Sequence, residues 1–447
     1  MKAAALKYTF LSGAANLAAI IIALVPFHAF LTVWLSSLVG HYTALRLWKE
    51  LLLALITAAV FYLLLTDHKI RSHTLTRRLV WLVIAYGGLQ ALAGWYSLQV
   101  GQVTPKAVAY GLLVNLRFLG FFLLVWAIAL RTSRLQAQWQ RLVLWPAAVV
   151  IVFGLVQIFI LPADWLRHVG YGPATILPFE TVNSNRDFVR IASTLRGPNP
   201  LGAYLVLGLT AILVVLLRAT KKWRLAALFA GGLVVLGFSF SRSAVLGAVI
   251  SLLLVVAISA RADQAKKWLT IIGVSLALLV VLGAAVVHKS SRLENVVLHT
   301  QTKSAVATSS NGGHLNSLRQ ASRDILAQPL GRGPGTAGPA SVYNQGQPRI
   351  AENYFLQLGQ EVGVWGLALF VLINAGVGYL LWLRRADPLA LTLFASFIGL
   401  TLVNLLSHAW ADDTLAYVWW GLAGVAMASV PIELITKQTA KDTAADA

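Results

Sequence analysis

The chain has no cysteine among its 447 residues, which excludes disulfides, thiolate metal sites and a cysteine nucleophile. Charge is scarce as well. Only 12% of the residues are charged while 58% are hydrophobic, and a water-solvated surface cannot be built from that remainder. The solvent of the fold is therefore lipid. Acids are the rarer sign, 16 Asp and Glu against 36 Lys and Arg, a formal charge of +20. That excess does not mark a nucleic-acid binder, because most of the cations sit in short loops between apolar runs, where membrane topology places them. Heptads and internal repeats are absent too.

What is present is a succession of apolar stretches. They lie near 10–35, 47–66, 79–98, 108–130, 142–161, 200–217, 225–240, 243–260, 268–287, 354–383, 389–407 and 414–435, and each is long enough to span a bilayer. The expected fold is all-α, a single polytopic bundle of about twelve helices over 1–436 with a short tail at 437–447. The N-terminus resembles a signal n-region, but its apolar stretch runs far past a signal h-region and no A-x-A-like site ends it, so it reads as a retained first helix. Lys69, Arg71, Arg77 and Arg78 fall in one loop. Arg131, Arg134 and Arg141, then Lys221, Lys222 and Arg224, then Arg261, Lys266 and Lys267, then Arg384 and Arg385 fall in alternate later ones. The positive-inside rule puts these loops and both termini in the cytoplasm. Two long segments, 162–199 and 288–353, then face the outside and are where polar chemistry is expected. The second holds a helical stretch from about His314 to Leu326 and a Gly/Pro-rich turn from Gly331 to Pro339.

That turn contains Gly333-Pro334-Gly335-Thr336-Ala337-Gly338, a letter-for-letter match to the dinucleotide fingerprint. The fingerprint works only between a strand and a helix of a βαβ unit, and none is near, so tight backbone packing is the expected role. Arginine is more telling. Arg117 sits inside an apolar run, Arg242 at an outer helix junction, and Arg190 and Arg196 flank Ile191-Ala192-Ser193-Thr194-Leu195. Charged groups there are costly unless paired or facing water. A guanidinium binds phosphate oxygens bidentately, so arginines gathered at the outer surface suit a lipid-linked diphosphate; headgroup contact or a structural ion pair is the plainer reading, above all for Arg117. On the same side the acid/base candidates are His314, Glu352, Glu361, His408, Asp412 and Asp413. Glu352 opens a long apolar helix, placed either to deprotonate an acceptor or merely to complement the helix dipole. His314 can equally be a loop histidine without a task. Asp412, Asp413 and Glu352 show no ligand spacing that marks a metal site.

The order Arg-x-x-Ser-Thr-x-x-x-Pro-Asn at 190–199, Ser241-Arg242, Pro329 to Gly335, Glu352-Asn353-Tyr354-Phe355-Leu356 and Glu361-Val362-Gly363-Val364-Trp365-Gly366 resembles the O-antigen ligase and polymerase family. The resemblance implies a bundle like that of type C glycosyltransferases. It also implies transfer of glycan from a polyprenyl-diphosphate carrier to a glycan, lipid or protein acceptor on the outer face of the cytoplasmic membrane, with no cofactor, metal or nucleic acid. It assigns Arg190 and Arg242 to the diphosphate; Arg196 joins them only as an arginine of the same outer loop, without support from the resemblance, and Asn199 and Asn353 are the supporting residues. The ligases carry a histidine before the asparagine matching Asn353, where this chain has Glu352, which keeps a proton acceptor and leaves His314 as the alternative base. Displacement opposite the diphosphate would invert the anomeric centre. A transporter or lipid flippase is the competing reading, since about twelve helices with buried arginine describe those too. Polymerase, lipid ligase and protein O-glycosylating transferase share the donor and differ in the acceptor.

Overall fold

The computed structural model describes residues 2–75, 77–182, 185–259, 310–346 and 348–428. The stretch expected to span at 268–287, the loop cations Arg261, Lys266 and Lys267, the first part of the 288–353 loop and the tail at 437–447 lie outside the described residues. In chain order the helices are α1 (Lys2–Leu24), α2 (His28–Val39), α3 (Tyr42–Leu45), α4 (Trp48–Thr66), α5 (His68–Leu75), α6 (Arg78–Gln99), α7 (Pro105–Ala129) and α8 (Arg134–Phe159). A hairpin of β1 (Glu180–Val182) and β2 (Asn185–Arg190) follows. Then come α9 (Pro198–Arg218), α10 (Trp223–Phe238), α11 (Arg242–Ser259), α12 (Ser310–Ala327), α13 (Tyr354–Leu383), α14 (Pro388–Leu406) and α15 (Asp413–Ala428).

Among the described residues, 9 helical segments are long and apolar enough to cross a membrane, and Trp223–Phe238 is a shorter apolar helix. The chain is a polytopic helical membrane protein. The first span differs from a single straight helix. Pro26 has no N–H to give an α-helical ladder, and a 3-10 turn at Val25–Phe27 divides α1 from α2. The carbonyls there are taken by tertiary partners, Pro26 by the Thr194 hydroxyl at 2.9 Å and Val25 by that of Thr414 at 3.3 Å. The antiparallel hairpin, with Glu180 opposite Arg190, is likewise an addition to the all-α expectation. It lies in the 162–199 segment, where Ile191 N–H donates to Phe238 O at 3.2 Å.

Hydrogen bonds across elements show which loops share an end of the bundle. At one end Lys7 meets the Thr66 carbonyl, Arg131 meets Asp67, Arg218 meets Ala386 O and Arg384 meets Ala426 O. At the other, Thr104 bonds to Asn344 and Tyr343, Arg190 to Ser239 O, and Tyr354 N–H to Ser407 O. The described basic short loops are thus gathered at the first end, and 160–182, 185–197, 239–241, 328–346, 348–353 and 407–412 at the second. Between them α15 lies along α7, and its Trp419 and Trp420 join Trp410 and Phe118 in an aromatic core, with ring centroids 5.1–5.8 Å apart. Gly424 packs against the backbone of Phe122 and Trp126, where a Cβ would collide.

Candidate active site

The 162–199 segment is anchored before it is functional. Ser193 holds a left-handed backbone, φ 50°, because its N–H donates to Gln157 Oε1 at 2.8 Å and its hydroxyl to Val150 O at 2.7 Å. Phe240, φ 49°, and Glu352, φ 51°, share that conformation. A non-glycine residue there is strained by about 1–3 kcal/mol, and such strain collects at functional loops. These three sit in or beside three of the motif segments, whereas a fourth, His41, φ 59°, lies in none.

Arg190 is committed to the chain's own acceptors. Its Nε donates to Ser239 O at 3.0 Å, and its two terminal nitrogens reach Glu180 Oε2 at 3.3 Å and Asn199 Oδ1 at 2.7 Å. Burial pulls its pKa down and Glu180 opposes that. Glu180 and Asn199 in turn border a cavity of about 220 Å³ shared with Arg196, His408 and Asp412. Arg242 is exposed at the start of α11, between Ser241 and Ser243 of the same cavity wall. Arg196 is exposed and lines a second, larger cavity as well, of about 680 Å³. It therefore stands between the two.

Cations dominate the larger cavity. Arg46, Lys49, Lys106, Arg117 and Arg196 line it, against the carboxylates Glu50 and Asp413. Lys49 Nζ is 3.1 Å from Asp413 Oδ2 and 3.2 Å from Glu50 Oε1, and Arg117 is 3.7 Å from Glu50 and 3.8 Å from Asp413. His28 completes this network, its Nε2 3.2 Å from Lys49 Nζ and its Nδ1 accepting the Trp48 indole N–H at 2.8 Å. The plainer reading of Arg117, a structural ion pair, matches its position: its side chain is 7% exposed, and it also donates to Ala411 O. Arg46 lies over the Tyr42 ring and Lys106 over that of Tyr343, at 5.6 and 4.4 Å. Apolar side chains such as Ala29, Leu47, Leu113 and Ile176 share the remaining walls with hydroxyls such as those of Thr32, Thr43 and Tyr110.

The carboxylates separate into different tasks. Glu361 is fully buried at a break in α13, where Val362 and Gly363 leave helical geometry. It accepts from Asn115 Nδ2 at 2.7 Å and from Gly335 N–H at 2.8 Å. The Gly333–Gly338 turn thus wraps a carboxylate and packs on α7, where a Cβ on Gly111 would strike Gly335. Glu352 is half-buried, and the chain beyond it runs beside 405–408 through Asn353 Nδ2 to Leu405 O at 2.9 Å. Asn353, not Glu352, is the residue whose side chain caps α13, accepting from Leu356 N–H at 3.0 Å. His408 is brought near Glu352. Burial lowers its pKa, with Arg196 acting in the same direction and Glu352 against. Asp412 caps α15 through Oδ1, accepting from Thr414 and Leu415. Its Oδ2 is buried with no hydrogen-bond partner. Burial and the adjacent Asp413 push its carboxyl up to about 6. His314 is the fifth residue of α12, and its side chain is outside the described residues. Among the described residues no group of three or more His, Asp or Glu is placed to hold a metal ion.

Sequence reasoning missed His28, Arg46, Lys49, Glu50 and Lys106. A signal existed in Lys49-Glu50, two opposite charges inside the apolar run at 47–66, since ionisable residues in a span mark function or pairing.

The fold and site together define a multi-pass membrane protein with a cationic cavity at the end opposite its basic loops. Residues 227–371 match the family model described as O-Antigen ligase. The match covers less than half of the chain and supports the O-antigen ligase and polymerase family, the one its motifs resemble, which suggests membrane glycosyltransferase activity of the ligase or polymerase kind. Arg242, His314, Glu352, Asn353 and Glu361 fall inside it; Arg190, Arg196, His408 and Asp412 do not. No curated protein matches the chain.

Proposed function

We propose that the protein transfers or polymerises glycan from a polyprenyl-diphosphate donor onto an acceptor hydroxyl at the outer face of the cytoplasmic membrane. The observation that carries this reading is the 680 Å³ cavity, where five cations face two carboxylates beside apolar walls. A diphosphate supplies the missing negative charge and a prenyl chain the apolar partner. Lys49 and Arg117 are already paired with carboxylates, so Arg196, Arg46 and Lys106, which have no ion-pair partner among the described residues, are the groups left to meet the diphosphate. Arg242 flanks the smaller cavity. Arg190 acts as a positioning residue, holding Asn199 and Glu180 at that cavity's rim.

The smaller cavity receives the acceptor. Glu352, beside His408, takes the proton from the acceptor hydroxyl as that oxygen bonds to the anomeric carbon. The bond from the anomeric carbon to the diphosphate oxygen breaks, and the released charge passes to Arg196 and its neighbours. Attack from the side opposite the leaving group inverts the anomeric centre. The positive-inside rule places the basic-loop end in the cytoplasm and the two cavities outside.

The decisive experiment is turnover by purified protein in nanodiscs on a polyprenyl-diphosphate glycan, with acceptor present and no ion gradient. Glycan transfer, abolished by Arg196→Ala, is expected. Inert protein that instead moves the lipid-linked glycan between leaflets of sealed vesicles would replace this reading with the transporter.

A further inference from the structure

We propose that a third cavity at the same end, lined by polar side chains, is a binding subsite for the sugars of an oligosaccharide. It rests on the reading above for its place in the reaction, but not for its ligand class. The cavity encloses about 430 Å³, within the range of about 300–1,000 Å³ that takes small ligands. The side chains lining it are the amides of Gln102, Gln328, Asn344 and Gln345, the guanidiniums of Arg332 and Arg349, and the hydroxyls of Thr336 and Ser341; not one is apolar. In a chain that is 58% hydrophobic, that composition specifies a partner bristling with hydroxyls. Each amide both donates and accepts, as a sugar hydroxyl does.

Other ligand classes fit poorly. A prenyl or acyl chain finds no aliphatic or aromatic side chain in the lining. A diphosphate finds Arg332 already near Asp324, at 3.4 Å, and bonded to Gln328 at 2.7 Å, which leaves, among the described residues, Arg349 as a single unpaired cation beside four amides and two hydroxyls. Among the described residues the side chains of Gln102, Gln345 and Arg349 have no hydrogen-bond or ion-pair partner, so their capacity is open to a ligand.

The wall between this cavity and the cationic one is a single 3-10 segment, Gly338–Tyr343. Pro339 and Tyr343 line the cationic side, and Ser341, with Asn344 just after it, lines the polar side. The wall is fixed. Thr104 donates its N–H to Asn344 Oδ1 at 3.2 Å and its hydroxyl to Tyr343 O at 2.8 Å, and Ser341 Oγ donates to Gly338 O while accepting from Arg349 N–H. A preformed wall lowers the ordering cost of binding. A glycan whose reacting end lies at Arg196 can extend over this wall and set its distal sugars among the amides.

The test uses full-length protein in nanodiscs and, as probe, the water-soluble oligosaccharide released by mild acid from the lipid-linked donor pool of the source cells. Gln102→Ala and Gln345→Ala are surface changes without described side-chain partners, so the fold stays intact. Each should weaken oligosaccharide binding by about threefold to tenfold, the worth of one or two hydrogen bonds. Arg196→Ala should leave that binding unchanged while losing the intact donor lipid. In turnover assays a raised KM for acceptor alone assigns the cavity to the acceptor glycan, and a raised KM for donor alone to the donor's distal sugars. Unchanged oligosaccharide binding and unchanged KM values in both glutamine variants would overturn the subsite. Binding is read without turnover, so a protein that binds sugar but transfers none would sink the transferase reading and leave the subsite standing.

Discussion

Lys49 and Asp413, one near the start of the chain and the other near its end, lie with Nζ 3.1 Å from Oδ2, their side chains 4% and 17% exposed. Arg117 reaches both Glu50 and Asp413, so the network ties α4, α7 and α15 together in the cavity wall. Removing one partner of a buried pair leaves the other uncompensated, at about 3–5 kcal/mol. Asp413→Asn should therefore lower the melting temperature sharply in detergent. Lys49→Met combined with Asp413→Asn should be less damaging than the two single effects added together. Strict additivity would show that the pair is not coupled.

The two arginines of the 190–199 motif should fail in different ways. Arg196→Lys puts a point charge where a guanidinium fork faces both cavities, and donor affinity should fall about tenfold to a hundredfold with the melting temperature unchanged. Arg190→Lys breaks the bonds to Ser239 O, Glu180 and Asn199, so its main effect should be a lower melting temperature, with acceptor KM raised through Asn199. Isothermal donor titration and thermal melts separate the two. Equal loss of donor affinity with no melting change in Arg190→Lys would return that residue to the diphosphate.

Glu352→Gln removes a proton acceptor and keeps shape. Turnover should fall by about two to four powers of ten with donor binding retained, because the α13 cap belongs to Asn353 and survives. His408→Gln should lower turnover less. Near-normal turnover in Glu352→Gln together with collapse in His408→Gln or His314→Gln would transfer the role of base to that histidine.

Asp412 yields a pH dependence. Its native pKa, about 6, lies above the unfolded value of about 3.9. Its contribution favours the folded state only below about pH 4 and is lost as pH rises through about 6. Asp412→Asn keeps the Oδ1 cap and removes the buried charge, so it should raise the melting temperature at pH 8 and leave it unchanged at pH 4. A stabilised variant with reduced turnover would mark Asp412 as a residue held at a structural cost for its function. Equal melting shifts at both pH values would argue against ionised Asp412 as the cause.

In this cysteine-free chain single cysteines report topology directly. Ser72→Cys, at the basic end, should resist an impermeant maleimide added to intact cells, and Gln345→Cys should react. The reverse pattern would invert the orientation drawn from the loop cations.

Much of the architecture was written in the one-dimensional pattern, because a bilayer demands long apolar runs and sorts Lys and Arg to one side whatever the packing. The spans at 79–98, 354–383 and 389–407, the α12 helix and the structural use of the Gly333–Gly338 turn follow from residues that are local in sequence. The motif loops were legible for the same reason, as strings of arginine, serine and asparagine outside the membrane. The site itself was not. Its cavity draws Arg46 and Lys49 from one end of the chain, Lys106 and Arg117 from α7, Arg196 from the 162–199 segment and Asp413 from α15, and no local rule pairs charges so far apart. Arg190 and Arg196, six residues apart in one motif, read alike in sequence. Tertiary structure divided them, because the hairpin turns Arg190 onto Ser239 O while Arg196, beyond the strained Ser193, is left facing the space between two cavities.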